Sequence, residues 1–184
     1  MESWDSTTIL KKTRAALGRG ILLILVFPIL PAVLLEYPLT GTLAMIGTSL
    51  IFESTAAPVG IALGLSPYFV FYVLVCTESG IFLCLYDIFD TIGHTSPRVA
   101  AFLEKSRHIA DGSPTMKRYG ILGLIPLEIV IGVYANAPVA WVLGWREDHS
   151  LLLTLAGYLP QLIITIAICV GLVNLNLPGL VHIL

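Results

Sequence analysis

With 184 residues and a net charge of −2, the chain has length for one domain; 57% of it is hydrophobic, against about 45–50% in ordinary soluble domains, and 12% is charged against about 25%. Uncharged runs this numerous exceed the core of a soluble fold of this size, so the sequence reads as an integral membrane protein. No basic face with interleaved aromatics occurs, which argues against nucleic acid as a partner.

Residues 1–20 read as an N-terminal interfacial segment, polar and basic, with Trp4, Ile9, Leu10 and Leu17 as its apolar members. The first oily run, Ile21 to Leu35, is short for a hydrocarbon core that needs about 20 residues, and Pro28 and Pro31 should kink it. A signal-peptide reading of this start lacks a small-residue cleavage site. The run from Pro38 to Ser66 carries Glu53 and Pro58 among small residues, and Pro67 to Ile92 is a good spanning candidate with Glu78 near its middle. Asp87 and Asp90 should mark the cytoplasmic end of that span.

Residues 93–118 form the one large aqueous stretch, a cytoplasmic amphipathic loop. Within it Val99, Phe102, Leu103, Ile109 and Ala110 share one helical face, which suits either a solvated helix packed on the protein or a helix lying on the membrane surface. Tyr119 to Trp145 is apolar but broken by Pro126, Glu128, Asn136 and Pro138, and a last span runs from Leu151 to Val173.

The sequence repeats itself. "TAAPVGIALG" (55–64) and "ANAPVAWVLG" (135–144) share Ala57/Ala137, Pro58/Pro138, Val59/Val139, Leu63/Leu143 and Gly64/Gly144 at a constant offset of 138 − 58 = 80. Each copy precedes a full span, which makes residues 38–92 and 119–173 two copies of one unit. Basic residues before the first span, in the 93–118 loop and at Arg146 fall on one side only if each broken segment dips into the membrane and returns. The expected fold is therefore an all-α membrane protein: an N-terminal transmembrane helix, then an inverted repeat of re-entrant helical hairpin plus transmembrane helix, with interfacial amphipathic helices. Its N-terminus is expected to be cytoplasmic.

Irregular backbone at membrane depth needs protein around it, so the two tips should meet, with Asn136 and Pro138 close to Ser54 and Pro58. Each proline should open an outgoing half-helix, leaving amides free unless Ser54, Thr55 or Asn136 reaches round, a donor-rich point suited to an anion. Glu53, Glu78 and Glu128 are the ionisable groups in oily runs, and such groups face a pathway or a partner. They are the candidate proton- and substrate-binding residues, joined by Asn136; Ser54, Thr55, Pro58, Gly60 and Pro138 are the candidate tip residues. Cys76, Cys84 and Cys169 read as small core hydrophobes, and His94, His108, His149 and His182 are scattered, so neither type suggests a metal site or other cofactor.

"E-x-x-x-x-P-x-G-I-A-L-G-L" (Glu53, Pro58, Gly60 to Leu65), "K-R-Y-G-I-L-G-L" (Lys117 to Leu124) and "A-W-V-L-G" (Ala140 to Gly144) resemble the small multidrug export proteins, prokaryotic membrane proteins distantly related to the DedA/VTT proteins. The resemblance spans about residues 38–173 and implies paired re-entrant segments in a prokaryotic plasma membrane. An arginine that the family commonly carries after the glutamate is replaced here by Ser54 and Thr55, and a Pro-Gly-Thr-Gly turn by "GVYANAPVAW". The expected function is a proton-coupled carrier of amphipathic compounds, with Glu53 as the switch. The alternatives are a DedA-like flippase or scramblase of lipid or polyprenyl-phosphate head groups and a structural or assembly subunit. Lipids, protons and a homodimer partner are the expected associates. No Gly-x-Gly-Asp, nucleophile elbow or HExxH pattern suggests an enzyme.

Overall fold

A computed structural model describes residues 6–95, 99 and 120–174, and within them every regular element is helical. The amphipathic stretch expected at 93–118 lies almost wholly outside the described residues. In chain order the elements are α1 (Ser6–Ile21), a π-turn (Leu22–Val26), α2 (Phe27–Leu34), α3 (Leu39–Phe52), a 3-10 turn (Glu53–Ala56), α4 (Ala57–Ala62) and α5 (Pro67–Thr95). A second 3-10 turn (Gly120–Gly123) leads into α6 (Leu124–Val130), α7 (Val133–Val142) and α8 (Glu147–Asn174). By length and composition four runs could cross a membrane: Thr7–Leu34, Leu39–Ala62, Pro67–Gly93 and Glu147–Gly171. Much of their apolar surface faces outward, as at Leu30, Leu34, Leu152, Ile163 and Ile168. That is the arrangement of a membrane protein rather than of a core turned inward from water.

The first run is continuous from residue 6 to 34. The π-turn ends two residues before Pro28, whose ring would clash with the Ile24 carbonyl of a regular helix, so the expected proline distortion is taken up in the turn that holds Ile24. The same turn rests on α5 at Gly80, where a Cβ would stand 2.6 Å from Ile24 Cγ1 and 3.1 Å from Leu23 Cβ. A Cβ on Gly20 would stand 3.0 Å from Cys84 Cβ, so a glycine on each helix lets the two come together.

The second run is not a rod. Glu53 adopts φ 49°, ψ −124°, and the chain reverses there. Past the turn Gly60 lies against Met45, and Leu63 Cβ would be 3.1 Å from a Cβ on Gly41. Tyr37 and Ser66, just outside the two ends, share a 2.7 Å hydroxyl hydrogen bond, and Tyr37 stacks on Phe69. Residues 39–62 thus start and finish at the same end of the bundle. α3, at about 1.5 Å per residue, is about 21 Å long, short of a full bilayer core.

Residues 124–142 fold back likewise at Gly132, which has φ 92° and ψ −176°. Their outgoing end reaches the opposite end of the bundle, where Tyr86 hydroxyl donates to the Trp145 carbonyl at 2.7 Å and Gly93 lies against the Trp141 ring. Here too Lys12 pairs with Asp90, and Arg19 bridges Asp87 at 3.5 Å and Glu147 at 2.6 Å. The second half of α1, the last part of α5 and the first turn of α8 are therefore neighbours, with Asp87 and Asp90 about one to two turns before the end of α5.

The two matching sequences end in the same backbone turn. Leu65 N–H donates to Gly60 O and Gly64 N–H to Ile61 O; Trp145 N–H donates to Ala140 O and Gly144 N–H to Trp141 O, each 144 − 64 = 80 residues on. Gly64 (φ 86°) and Gly144 (φ 69°) hold the left-handed position that such a helix end requires.

The prolines are placed otherwise than expected. Pro58 is second in α4, but Pro138 lies inside α7, because α7 begins directly after Gly132 rather than at residue 137. Counting the 3-10 turn, the outgoing arms span 53–62 and 133–142, and each proline is the sixth residue of its arm.

Candidate functional site

Each hairpin packs a core of its own: one of Met45, Ile46, Ala57, Val70, Val73 and Leu162, the other of Ile81, Phe82, Leu124, Val133, Ala137 and Ala140. The tips meet between them. Glu53, at the first tip, accepts the backbone N–H of Val133, at the second, over 3.2 Å. These two residues are 133 − 53 = 80 apart, the offset of the matching sequences 55–64 and 135–144. Tyr134 hydroxyl donates to the Leu50 carbonyl and fastens the tips again. Gly132 has no side chain because a Cβ there would fall on the Glu53 carboxylate.

Around this contact three carboxyl groups converge: one oxygen each from Glu53, Glu78 and Glu128 lie within 4.8 Å of one another. α5 supplies Glu78, α6 supplies Glu128, and Glu53 comes from the first tip. Glu78 and Glu128 are each 2% exposed, whereas Glu53 is only half-buried and forms the accessible side. The carboxyls of Glu78 and Glu128 are close neighbours in this group. One oxygen of each has no hydrogen-bond partner among the described residues. No Lys or Arg is paired with any of the three among those residues.

Asn136, fully buried, directs its amide NH2 at Glu128 Oε2 (2.9 Å), the Leu124 carbonyl (3.0 Å) and Thr154 Oγ1 (3.1 Å), while its amide oxygen is unpartnered. It joins the glutamate cluster but does not cap a helix. Thr55 donates to the Phe52 carbonyl at 2.6 Å and likewise caps nothing; Ser54 is buried at the tip and Pro58 is exposed. Gly60 is a packing residue, closed against Met45 and Val70. Leu50 and Glu53 meet Gly132, Val133 and Tyr134, whereas Asn136 bonds Leu124, Glu128 and Thr154 rather than Ser54. The expected open anion point is altered, since the first amide of the second arm is held by Glu53.

Sequence reading missed Val133, Tyr134, Thr154 and Tyr158. Tyr158 is fully buried within electrostatic reach of all three glutamates. Thr154 and Tyr158, four residues apart on α8, flank Gly157, whose Cβ would stand 2.6 Å from the Ile125 carbonyl and 2.8 Å from Glu128 Cβ. A threonine, a glycine and a tyrosine on one face of an oily span were the available signal. Cys and His positions carry no hint of this cluster, and a trio of glutamates drawn from positions 53, 78 and 128 has no local spacing to betray it.

No protein-family model, curated protein or solved structure matches the chain.

Proposed function

We propose that the protein is a multi-pass membrane carrier in which Glu53, Glu78 and Glu128 exchange protons as an amphipathic compound passes between two re-entrant hairpins. The observation that carries this reading is the convergence of three carboxyl groups, without a cationic partner among the described residues, at the junction of the two hairpin tips. Groups so costly to bury in an oily bundle mark a pathway more often than a scaffold. An acidic junction attracts protons and cationic head groups and repels phosphate, which favours a carrier of amphipathic cations. The motif resemblance to small multidrug export proteins points the same way. On this reading the α1 start and residue 146 face the cytoplasm of a prokaryotic cell, following the basic residues there.

A second reading, a lipid scramblase, draws on the apolar tips: Ile51, Phe52, Val130 and Ile131 are 60–79% exposed around half-buried Glu53. Such a rim would let a lipid approach sideways. Liposomes containing the protein, loaded with a labelled phospholipid and a fluorescent amphipathic cation and given a pH gradient, separate the two. Gradient-driven movement of the cation that Glu53→Gln abolishes supports the carrier; gradient-independent lipid movement that survives Glu53→Gln supports the scramblase.

A further inference from the structure

We propose that Glu53, Glu78 and Glu128 form a binding site for a divalent metal cation. The inference deepens the carrier reading, resting on the same three residues, and names an ion for them.

Three atoms no more than 4.8 Å apart leave a point no more than 4.8/√3, about 2.8 Å, from each of them. Calcium–oxygen and manganese–oxygen bonds are about 2.1–2.6 Å, so a shift of a few tenths of an ångström per side chain closes the site on an ion. The donors are all oxygen. Asn136 stands beside Glu128 with its amide NH2 on Glu128 Oε2, which positions that carboxyl rather than adding a ligand. No thiol or imidazole belongs to the group, so the chemistry selects hard cations such as Mn2+, Ca2+ or Mg2+ over Zn2+.

The second, independent observation is the pair of orphaned oxygens. Glu78 Oε1 and Glu128 Oε1, on side chains 98% buried, receive no hydrogen bond among the described residues. Two buried hydroxyls nearby are turned elsewhere: Thr77 donates to the Val73 carbonyl and Ser49 to that of Ile46. Buried acceptors left unmet this way cost about 1–3 kcal/mol each, more when charged, unless an ion or proton meets them. Protons can neutralise the carboxylates one at a time, whereas a divalent ion neutralises two at once and can also draw in the third. Glu53, half-buried and bonded to Val133, is the accessible side of the site, and closing it on an ion would pull the first tip against the second.

Binding is read directly, apart from transport. Purified protein in detergent at pH 8 is titrated with Mn2+ and the free ion followed by electron paramagnetic resonance, with Ca2+ and Mg2+ as competitors and choline holding ionic strength. The expected result is one Mn2+ per chain, displaced by Ca2+, released on acidification to pH 5, and weakened about tenfold or more in Glu78→Gln and Glu128→Gln. Asp148→Asn, which removes an exposed carboxylate paired with Arg146, should leave it unchanged. Absence of saturable Mn2+ binding to the wild-type protein overturns the proposal, and so does equal affinity in the two glutamine variants. If Mn2+ does not bind but proton-driven transport is present, the cation inference falls and the carrier stands. If Mn2+ binds as expected but nothing is transported, the cation site stands and the carrier falls.

Discussion

Glu53 occupies a backbone conformation, φ 49° and ψ −124°, that suits glycine and strains any residue with a Cβ. Such strain, about 1–3 kcal/mol, persists where surrounding structure over-determines it, and here the carboxylate is held by Val133. Replacing Glu53 by Gly and by Ala removes the same carboxylate but relieves the strain only in the first. Glu53→Gly is therefore expected to be more stable than Glu53→Ala by about 1–3 kcal/mol, read from urea or thermal unfolding in detergent, with both inactive. Equal stabilities would mean the turn is not strained. At Asn136 the logic is that of satisfied hydrogen bonds. Asn136→Ala leaves the Leu124 carbonyl and Glu128 Oε2 without their donor, and a loss of about 1–3 kcal/mol is expected for a cavity that water does not reach.

At the scale of the element, the two hairpins end in the same way. Gly64 and Gly144 both take the left-handed position while the next residue's N–H turns back to residue 60 or 140. A Cβ on Gly64 meets no atom within 4 Å, so Gly64→Ala tests conformation alone and should cost about 1 kcal/mol. Gly144→Ala should cost a similar amount if the two turns are equivalent. A loss at one position and none at the other would show that the duplication has ceased to matter there. Gly123, with open space around it and an ordinary helical conformation (φ −61°), is the control: Gly123→Ala should be neutral or slightly stabilising.

For the whole molecule, the decisive question is which ends of the bundle share a side of the membrane. Glu36 and Ser66 bracket the first hairpin, and the bond from Tyr37 to Ser66 holds them together. Single cysteines at Glu36 and Ser66, in a background cleared of Cys76, Cys84 and Cys169, should react with an impermeant thiol reagent from the same side. Cysteines at Thr7 and His149 should react from the other side, because Lys12, Arg19, Asp87 and Glu147 tie those ends together. Labelling of positions 36 and 66 from opposite sides would make Leu39–Ala62 a true crossing and end the re-entrant reading.

The helical, membrane-spanning character was legible because it depends on composition and on runs of apolar residues, which are properties of the chain itself. So were the two broken segments and their matching ends, since a glycine required at a positive φ leaves a local mark at Gly64 and Gly144. The start of α7 was not legible: Pro138 read as a helix opener, but Gly132, six residues earlier, ends the preceding arm, and a carboxylate 80 residues away supplies the first bond of the new one. The meeting of Glu53, Glu78 and Glu128 was also left to tertiary structure. No local spacing links those positions. Their convergence depends on which face of α5 and α8 turns inward, and that is set by close approach at Gly80 and Gly157, where the absence of a side chain lets the neighbouring backbone come near. Sequence thus determines what each segment can bury, whereas the fit of one segment against another decides which buried charges must share a site.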